Sequence, residues 1–173
     1  MSIKKWIYIL AILALAGCGN PGPQRPSRRL GEAQKADSAA LALLELNQHL
    51  AVAADKQLLE YVQSLDEPYA LYEVSTWMRI IDRGDENSPS PVPNEEWTIA
   101  MRIYNLDGKL LVDEEGSYRI RKQELPLAVD FNIDELHRGG KARLITPWYA
   151  AYGMQGTKEI PPYENVIIDL ELK

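Results

Sequence analysis

The chain carries one thiol, that of Cys18, and two imidazoles, those of His49 and His137. A thiolate is both a nucleophile and a soft metal ligand, but a single cysteine closes no disulfide and builds no structural zinc site. His49 and His137 fall in helical stretches with no second histidine and no carboxylate cluster at ligand spacing. They read as surface residues, and neither a metal nor a cofactor is expected. What Cys18 can do is set by where it stands. Lys4 and Lys5 precede an apolar run, Ile7 to Ala16, and a helix of that length rises only about 15 Å, half the thickness of a bilayer core. A basic start, a short apolar core and a small-residue exit make residues 1–17 a secretory signal peptide.

The exit reads Leu15-Ala16-Gly17-Cys18 and resembles the lipobox of bacterial lipoproteins. The resemblance implies that the small Ala16 and Gly17 admit a signal peptidase, and that the Cys18 thiol accepts a diacylglyceryl group. A multiply acylated cysteine anchors a protein stably to a membrane, where one chain would hold it only marginally. Gly19 stands where some lipoproteins carry an acidic residue that retains them at the inner membrane. The expected address is therefore the cell envelope, on the outer membrane and facing the periplasm. Loss of Lys4 and Lys5 with the signal peptide takes the formal charge from -6 to -8, and an acidic chain without a basic stripe argues against nucleic acid.

The elements that must position any site begin after a tether. Residues 18–31 read as a flexible tether, since Gly19 to Ser27 is rich in proline and glycine and offers nothing apolar to bury. Residues 32–67 form a helical region, with Leu43, Leu46, Leu50, Leu58, Tyr61, Val62 and Leu65 recurring at spacings of three and four. Asp55 is a potential cap inside it, which leaves open one long helix or two shorter ones. The apolar face needs a partner: the domain that follows, the favoured choice, or another protein, or a second copy of the chain. Residues 68–96 lead into the main domain through an aromatic and branched stretch, Tyr69 to Ile81, and a polar loop, Gly84 to Asn94.

From Trp97 the pattern is that of strands. Trp97, Ile99, Met101 and Ile103 alternate with polar or small residues, the two-residue period of a half-buried strand. Asp107-Gly108 turns the chain into a returning strand, Leu110 to Val112, and Tyr118 to Ile120 reads as a further short strand. Val129, Ile133 and Leu136 predict a short helix over Asp130 to Arg138, stopped by Gly139-Gly140. Ala142 to Thr146 is a strand again, and Val166, Ile168, Leu170 and Leu172 form the inward set of a last one. Strands with one helix set among them define an α+β fold, an antiparallel sheet packed on a single helix.

Four motifs in order carry a more specific likeness: Gly139-Gly140-Lys141-Ala142-Arg143-Leu144-Ile145-Thr146-Pro147, Ala151-Tyr152-Gly153, Ile160-Pro161-Pro162 and Ile168-Asp169-Leu170-Glu171-Leu172. With Asn105-Leu106-Asp107-Gly108-Lys109 and Lys122-Gln123-Glu124-Leu125 upstream, residues 97–173 resemble the FKBP-type peptidyl-prolyl cis-trans isomerases. Together with the lipobox and the helical region, the whole chain resembles the gliding-motility-associated FKBP-type lipoproteins. The resemblance implies a twisted antiparallel sheet wrapped round one short helix, with a pocket for proline-containing polypeptides between them. It also implies roles. Tyr152 matches the tyrosine whose hydroxyl bonds a substrate carbonyl. Leu111, Leu125, Pro126, Ile160 and Ile168 match apolar pocket positions, and Val129 stands where a tryptophan commonly floors the pocket. The acidic residue after Leu111 is either lost to Val112 or displaced to Asp113, and Asp113 points to the other face of the strand unless a bulge corrects it. Valine in place of indole implies a wider, weaker pocket.

Two functions follow from the resemblance. One is a prolyl isomerase assisting the folding of exported proteins, with the helical region as spacer, dimer contact or chaperone arm. The other is a non-catalytic FKBP-like lipoprotein, an assembly part of an envelope or gliding machine. Retention of Tyr152, Ile160 and an aliphatic lining favours the first, and Val129 and Val112 favour the second.

Overall fold

A computed structural model describes the chain from Leu30 to Lys173. Cys18, the residues read as a signal peptide and nearly all of those read as a tether lie outside the described residues. The chain divides into two compact units, Met1–Leu43 and Leu44–Lys173. Of the first, the described part is the opening of helix α1, Leu30–Gln63. This is one continuous helix, and Asp55 lies within it as an exposed residue, not as a cap. Among the described residues no helix is long and apolar enough to cross a membrane.

The second unit is built on a six-stranded antiparallel sheet. In chain order the strands are β1 (Ala70–Leu71), β2 (Trp77–Asp82), β3 (Glu96–Asn105), β4 (Leu110–Arg119), β5 (Lys141–Thr146) and β6 (Val166–Leu172). Across the sheet they run β1-β2-β5-β6-β3-β4. The sheet thus begins at Ala70, upstream of residue 97, because β2 pairs along β5 from Trp77 opposite Ile145 to Asp82 opposite Lys141. Helix α2 (Leu127–Asn132) and the 3-10 turn Ile133–Glu135 lie between β4 and β5.

The inward set predicted for β3 is buried throughout, as is that of β6. Alternation here is a clean signal because both strands are central and have one face on the core. The core joins them to Val129, Ile133 and Leu136, all fully buried. The helix itself is shorter and earlier than Asp130 to Arg138. Pro126, which fixes φ and lacks an N–H, stands at its N-cap, and after Asn132 the chain tightens into the 3-10 turn. The two strands read as Leu110 to Val112 and Tyr118 to Ile120 are one strand of ten residues, β4, paired with β3 along its length.

A second, smaller apolar cluster occupies the opposite face of the sheet. Leu58 of α1 packs on Ile145 and Ile167, and Tyr61, Val62, Leu65, Tyr69, Trp77, Tyr104 and Leu106 close round them. The following domain is therefore the partner of the C-terminal part of the helical stripe. Leu43 and Leu46, upstream on the same stripe, are exposed.

Candidate functional site

Three segments converge on a cavity of about 230 Å³ at the concave face of the sheet, lined by Met101, Glu114, Gln123, Glu124, Leu125, Pro126, Ala151 and Tyr152. The first wall comes from β3 and β4, where Glu114 is the Cα partner of Met101 and so shares its inward face. One extra residue sits in β4 between the pairs Ile103–Val112 and Tyr104–Leu110. This bulge at Leu111 lets both Leu111 and Val112 pack partly against the core.

It does not bring Asp113 inward. Asp113 is the partner of Arg102 and forms an ion pair with it at 3.5 Å on the outer face. The β4 carboxylate that reaches the cavity is Glu114, one residue on, and nothing in the local sequence distinguishes it from its acidic neighbours without the register.

The second wall is the connection from β4 to α2. Arg121 and Gln123 both adopt positive φ, 61° and 62°, a conformation that costs a non-glycine residue of order 1 kcal/mol or more. The turn is held from both ends. The buried Asp130 carboxylate accepts the Arg121 N–H at 2.7 Å, and Glu124 accepts the Arg119 N–H at 2.7 Å. The result is to present Gln123, Glu124, Leu125 and Pro126 in sequence to the cavity. Pro126 contributes a ring but no N–H.

The third wall is the chain between β5 and β6. A 3-10 turn, Trp148–Ala150, is pinned at its start, where the Trp148 N–H donates to Oδ1 of the buried Asn165 at 2.9 Å. The Gly153 N–H returns to the Trp148 carbonyl at 2.7 Å, so Ala151 and Tyr152 are held on a tight loop. The Tyr152 ring packs against the core, and its hydroxyl makes no hydrogen bond among the described residues. Burial pushes that hydroxyl well above the ordinary phenol range, and the charge of Glu114, then Tyr118, pushes it further. It is a protonated donor at any physiological pH.

Of the residues singled out in the sequence, Tyr152, Leu125 and Pro126 meet at the cavity. Val129, Ile160 and Ile168 are fully buried in the same core without lining the opening, and Leu111 is half-buried beside it. Met101 and Ala151 complete the lining, the space is small for a drug-sized site, and Val129 does not reach it. Met101, Glu114, Gln123, Glu124 and Ala151 are lining residues that the sequence reading missed. Met101 was identified as inward and Ala151 stood within a quoted motif, but their convergence depends on the register. Trp148, four residues before Tyr152, is buried, edge-on to both Tyr149 and Tyr163. Among the described residues no group of three histidine, cysteine or acidic side chains is placed to hold a metal.

An antiparallel sheet packed round a short helix, with a cavity where the two meet, is an FKBP-type α+β fold. No protein-family model and no curated protein sequence matches the chain. Solved structures do. A peptidyl-prolyl cis-trans isomerase from Pseudomonas syringae pv. tomato superposes with a TM-score of 0.59 at 19% identity, over 70% of this chain and 90% of that one. FkpA from Escherichia coli gives 0.59 at 19% identity, over 98% of this chain and 80% of its own. The N-terminal domain of FKBP42 from Arabidopsis thaliana gives 0.53 at 18% identity, over 63% and 92%. Identities at this level establish the fold that the chain shares with these proteins.

Proposed function

We propose that this chain is an FKBP-type peptidyl-prolyl cis-trans isomerase that assists the folding of exported, proline-containing polypeptides. On the same reading it works at the cell envelope, held to the outer membrane by lipid on Cys18 and facing the periplasm. The observation that carries the activity is the Tyr152 hydroxyl, unengaged among the described residues, at a small cavity lined also by Met101, Leu125 and Pro126. A tyrosine placed there for structure alone would bond a neighbouring backbone group.

The chemistry asked of the site is modest. Rotation about an X–Pro amide faces a barrier of about 18–20 kcal/mol, between isomers that differ by about 1 kcal/mol, and no covalent bond breaks. The twisted amide has lost charge separation and is less strongly solvated than the planar one, so an apolar pocket favours it. Tyr152 would hold a flanking carbonyl. Gln123 is the other neutral donor on the rim, since Pro126 offers none.

A second reading keeps the fold without the activity, as an assembly lipoprotein of an envelope or gliding machine. It is favoured by the diversion of Asp113 to the outer face and by valine at 129, where the resemblance expects a tryptophan. NMR exchange spectroscopy on a proline-containing peptide separates the two. The isomerase reading expects catalysed exchange that Tyr152→Phe reduces by roughly tenfold, the scale of one transition-state hydrogen bond. No rate above background for the native protein would sink it. Mass spectrometry of the N-terminal peptide after membrane fractionation tests the anchor, and an unmodified Cys18 would refute it. The reading also assigns the exposed leucines of α1, among them Leu44 and Leu46, to a second copy of the chain, which sedimentation equilibrium checks.

A further inference from the structure

Helix α1 touches the loop that carries Tyr152 on both sides of that residue. Before it, the Tyr149 hydroxyl donates to the Asp55 carboxylate. After it, the Asn47 amide donates to the Met154 sulfur at 3.1 Å, and the Tyr163 hydroxyl donates to Asn47 at 3.3 Å. Further along the helix, the amide of Asn165 donates to Oε1 of Gln57 at 2.9 Å while its own oxygen accepts the Trp148 N–H that starts the turn. Below them Leu58 is seated on Ile145 and Ile167, which fixes the helix against the sheet. A spacer would need only the seat; the polar contacts all go to the segment between β5 and β6.

We infer that Asp55 and Gln57 are positioning residues for the candidate pocket, acting through Tyr149 and Asn165 to hold the turn from which Tyr152 projects. The inference rests on the reading of Tyr152 as the hydroxyl that meets substrate. Its physical basis is conformational. Gly153 has a positive φ of 72° and exposed Met154 follows it, so the two residues directly after Tyr152 bury little of themselves in the core. If the binding-competent arrangement is only part of the population, apparent affinity falls by that fraction. The helix raises the fraction, and so acts on binding more than on the turnover of bound peptide.

Asp55 and Gln57 are both exposed, so their replacement leaves the core intact. In the full chain, Asp55→Ala and Gln57→Ala should each weaken binding of a proline-containing peptide about threefold, and together about tenfold, the scale of single hydrogen bonds. Turnover of bound peptide should change little, and amide hydrogen exchange should quicken at residues 148–153 but not in β3 or β6. Asp55→Asn and Gln57→Glu, which keep the accepting oxygen, should restore both measures. Unchanged affinity in the double variant would overturn the inference, whether or not the loop exchanges faster. If the native protein binds and isomerises no proline peptide, the isomerase reading falls separately. Exchange at 148–153 and the ring signals of Tyr152 then decide the positioning alone: unaltered signals in the double variant refute it, and altered ones that the conservative pair restores uphold it.

Discussion

The Asn132 side chain closes three hydrogen bonds at once. It accepts from the Glu73 N–H at 3.0 Å and donates to the Glu73 and Ala128 carbonyls at 3.3 and 2.7 Å, and it is buried. Its backbone partners belong to α2 and to the 3-10 turn Glu73–Ser75, in which Val74 and Ser75 adopt positive φ. Truncation to alanine leaves those groups unmet in the interior, so Asn132→Ala should cost about 2–3 kcal/mol in a urea titration. Tyr152→Phe should fall within about 0.5 kcal/mol of the native protein, because its hydroxyl has no hydrogen-bond partner among the described residues to abandon. A tyrosine that is neutral for stability but matters for exchange is what a binding group looks like. Tyr149 makes a prediction about pH. Burial first, and then its bond to Asp55, push its hydroxyl up to about 12, with Ser75 acting the other way. A phenol raised on folding contributes stability that is fully present below its unfolded value near 10 and is lost as pH rises through the folded value. Urea midpoints should therefore hold steady up to about pH 10 and fall beyond it. Tyr149→Phe should show less of that fall.

Among the elements, α1 is the one whose pattern could be read without its partner. Its stripe at spacings of three and four continues from Leu43 to Leu65, yet only the part from Leu50 onward is covered. Leu58 is 1% exposed and Leu46 is 52% exposed, so Leu58→Ala should cost about 2–4 kcal/mol and Leu46→Ala less than about 0.5, measured in the same melts. Periodicity names a face; what lies against it is set by distant residues such as Ile145 and Ile167. The same limit explains the rest of what the sequence did and did not disclose. β3 and β6 were legible because one face meets the core and alternation records it. β4 read as two fragments because it is the last strand of the sheet, paired on one side only, and its middle, Asp113-Glu114-Glu115-Gly116, is polar on both faces. The bulge at Leu111 leaves no mark in composition, and with it went the assignment of the inward carboxylate. α2 was displaced because Val129, Ile133 and Leu136 keep helical spacing across a helix and a 3-10 turn alike. Gly156 carries a constraint that spacing does not reveal: at φ 62° an added Cβ would lie 2.2 Å from the Ile160 carbonyl oxygen.

Across the whole molecule, the outer face of the sheet carries two adjacent rows of different character. Trp77, Ile145, Ile167 and Tyr104 lie side by side in register and form the apolar row on which α1 sits. Two residues further along each strand, Arg79, Arg143, Asp169, Arg102 and Asp113 form a row of charge left open to solvent, beside a groove of about 410 Å³. Three cations stand in it beside two anions, and Glu67 extends it with an ion pair to Arg79 at 3.3 Å. Asp169 occupies the centre. It accepts two hydrogen bonds from Arg143, at 2.6 and 2.8 Å, and is the cross-strand partner of Arg102. Arg143 is held above its ordinary value chiefly by that bond, so it keeps its charge whatever is done to its partner. Neutralising Asp169 would then leave Arg143 and Arg102 facing one another across an amide, with Arg79 next to them. Arg79 already has a buried Nε with no partner among the described residues, so it cannot give ground cheaply. Asp113 pairs with Arg102 through one longer contact, and both side chains are more than half exposed, which screens the pair heavily. Asp169→Asn should therefore cost about 1–2 kcal/mol and Asp113→Asn less than about 0.5. Added salt should narrow the loss at Asp169 by screening the uncovered arginines. Equal losses at the two positions would mean that the row acts as separate surface pairs, whereas the graded loss would show that one carboxylate holds the open half of the sheet as the helix holds the other.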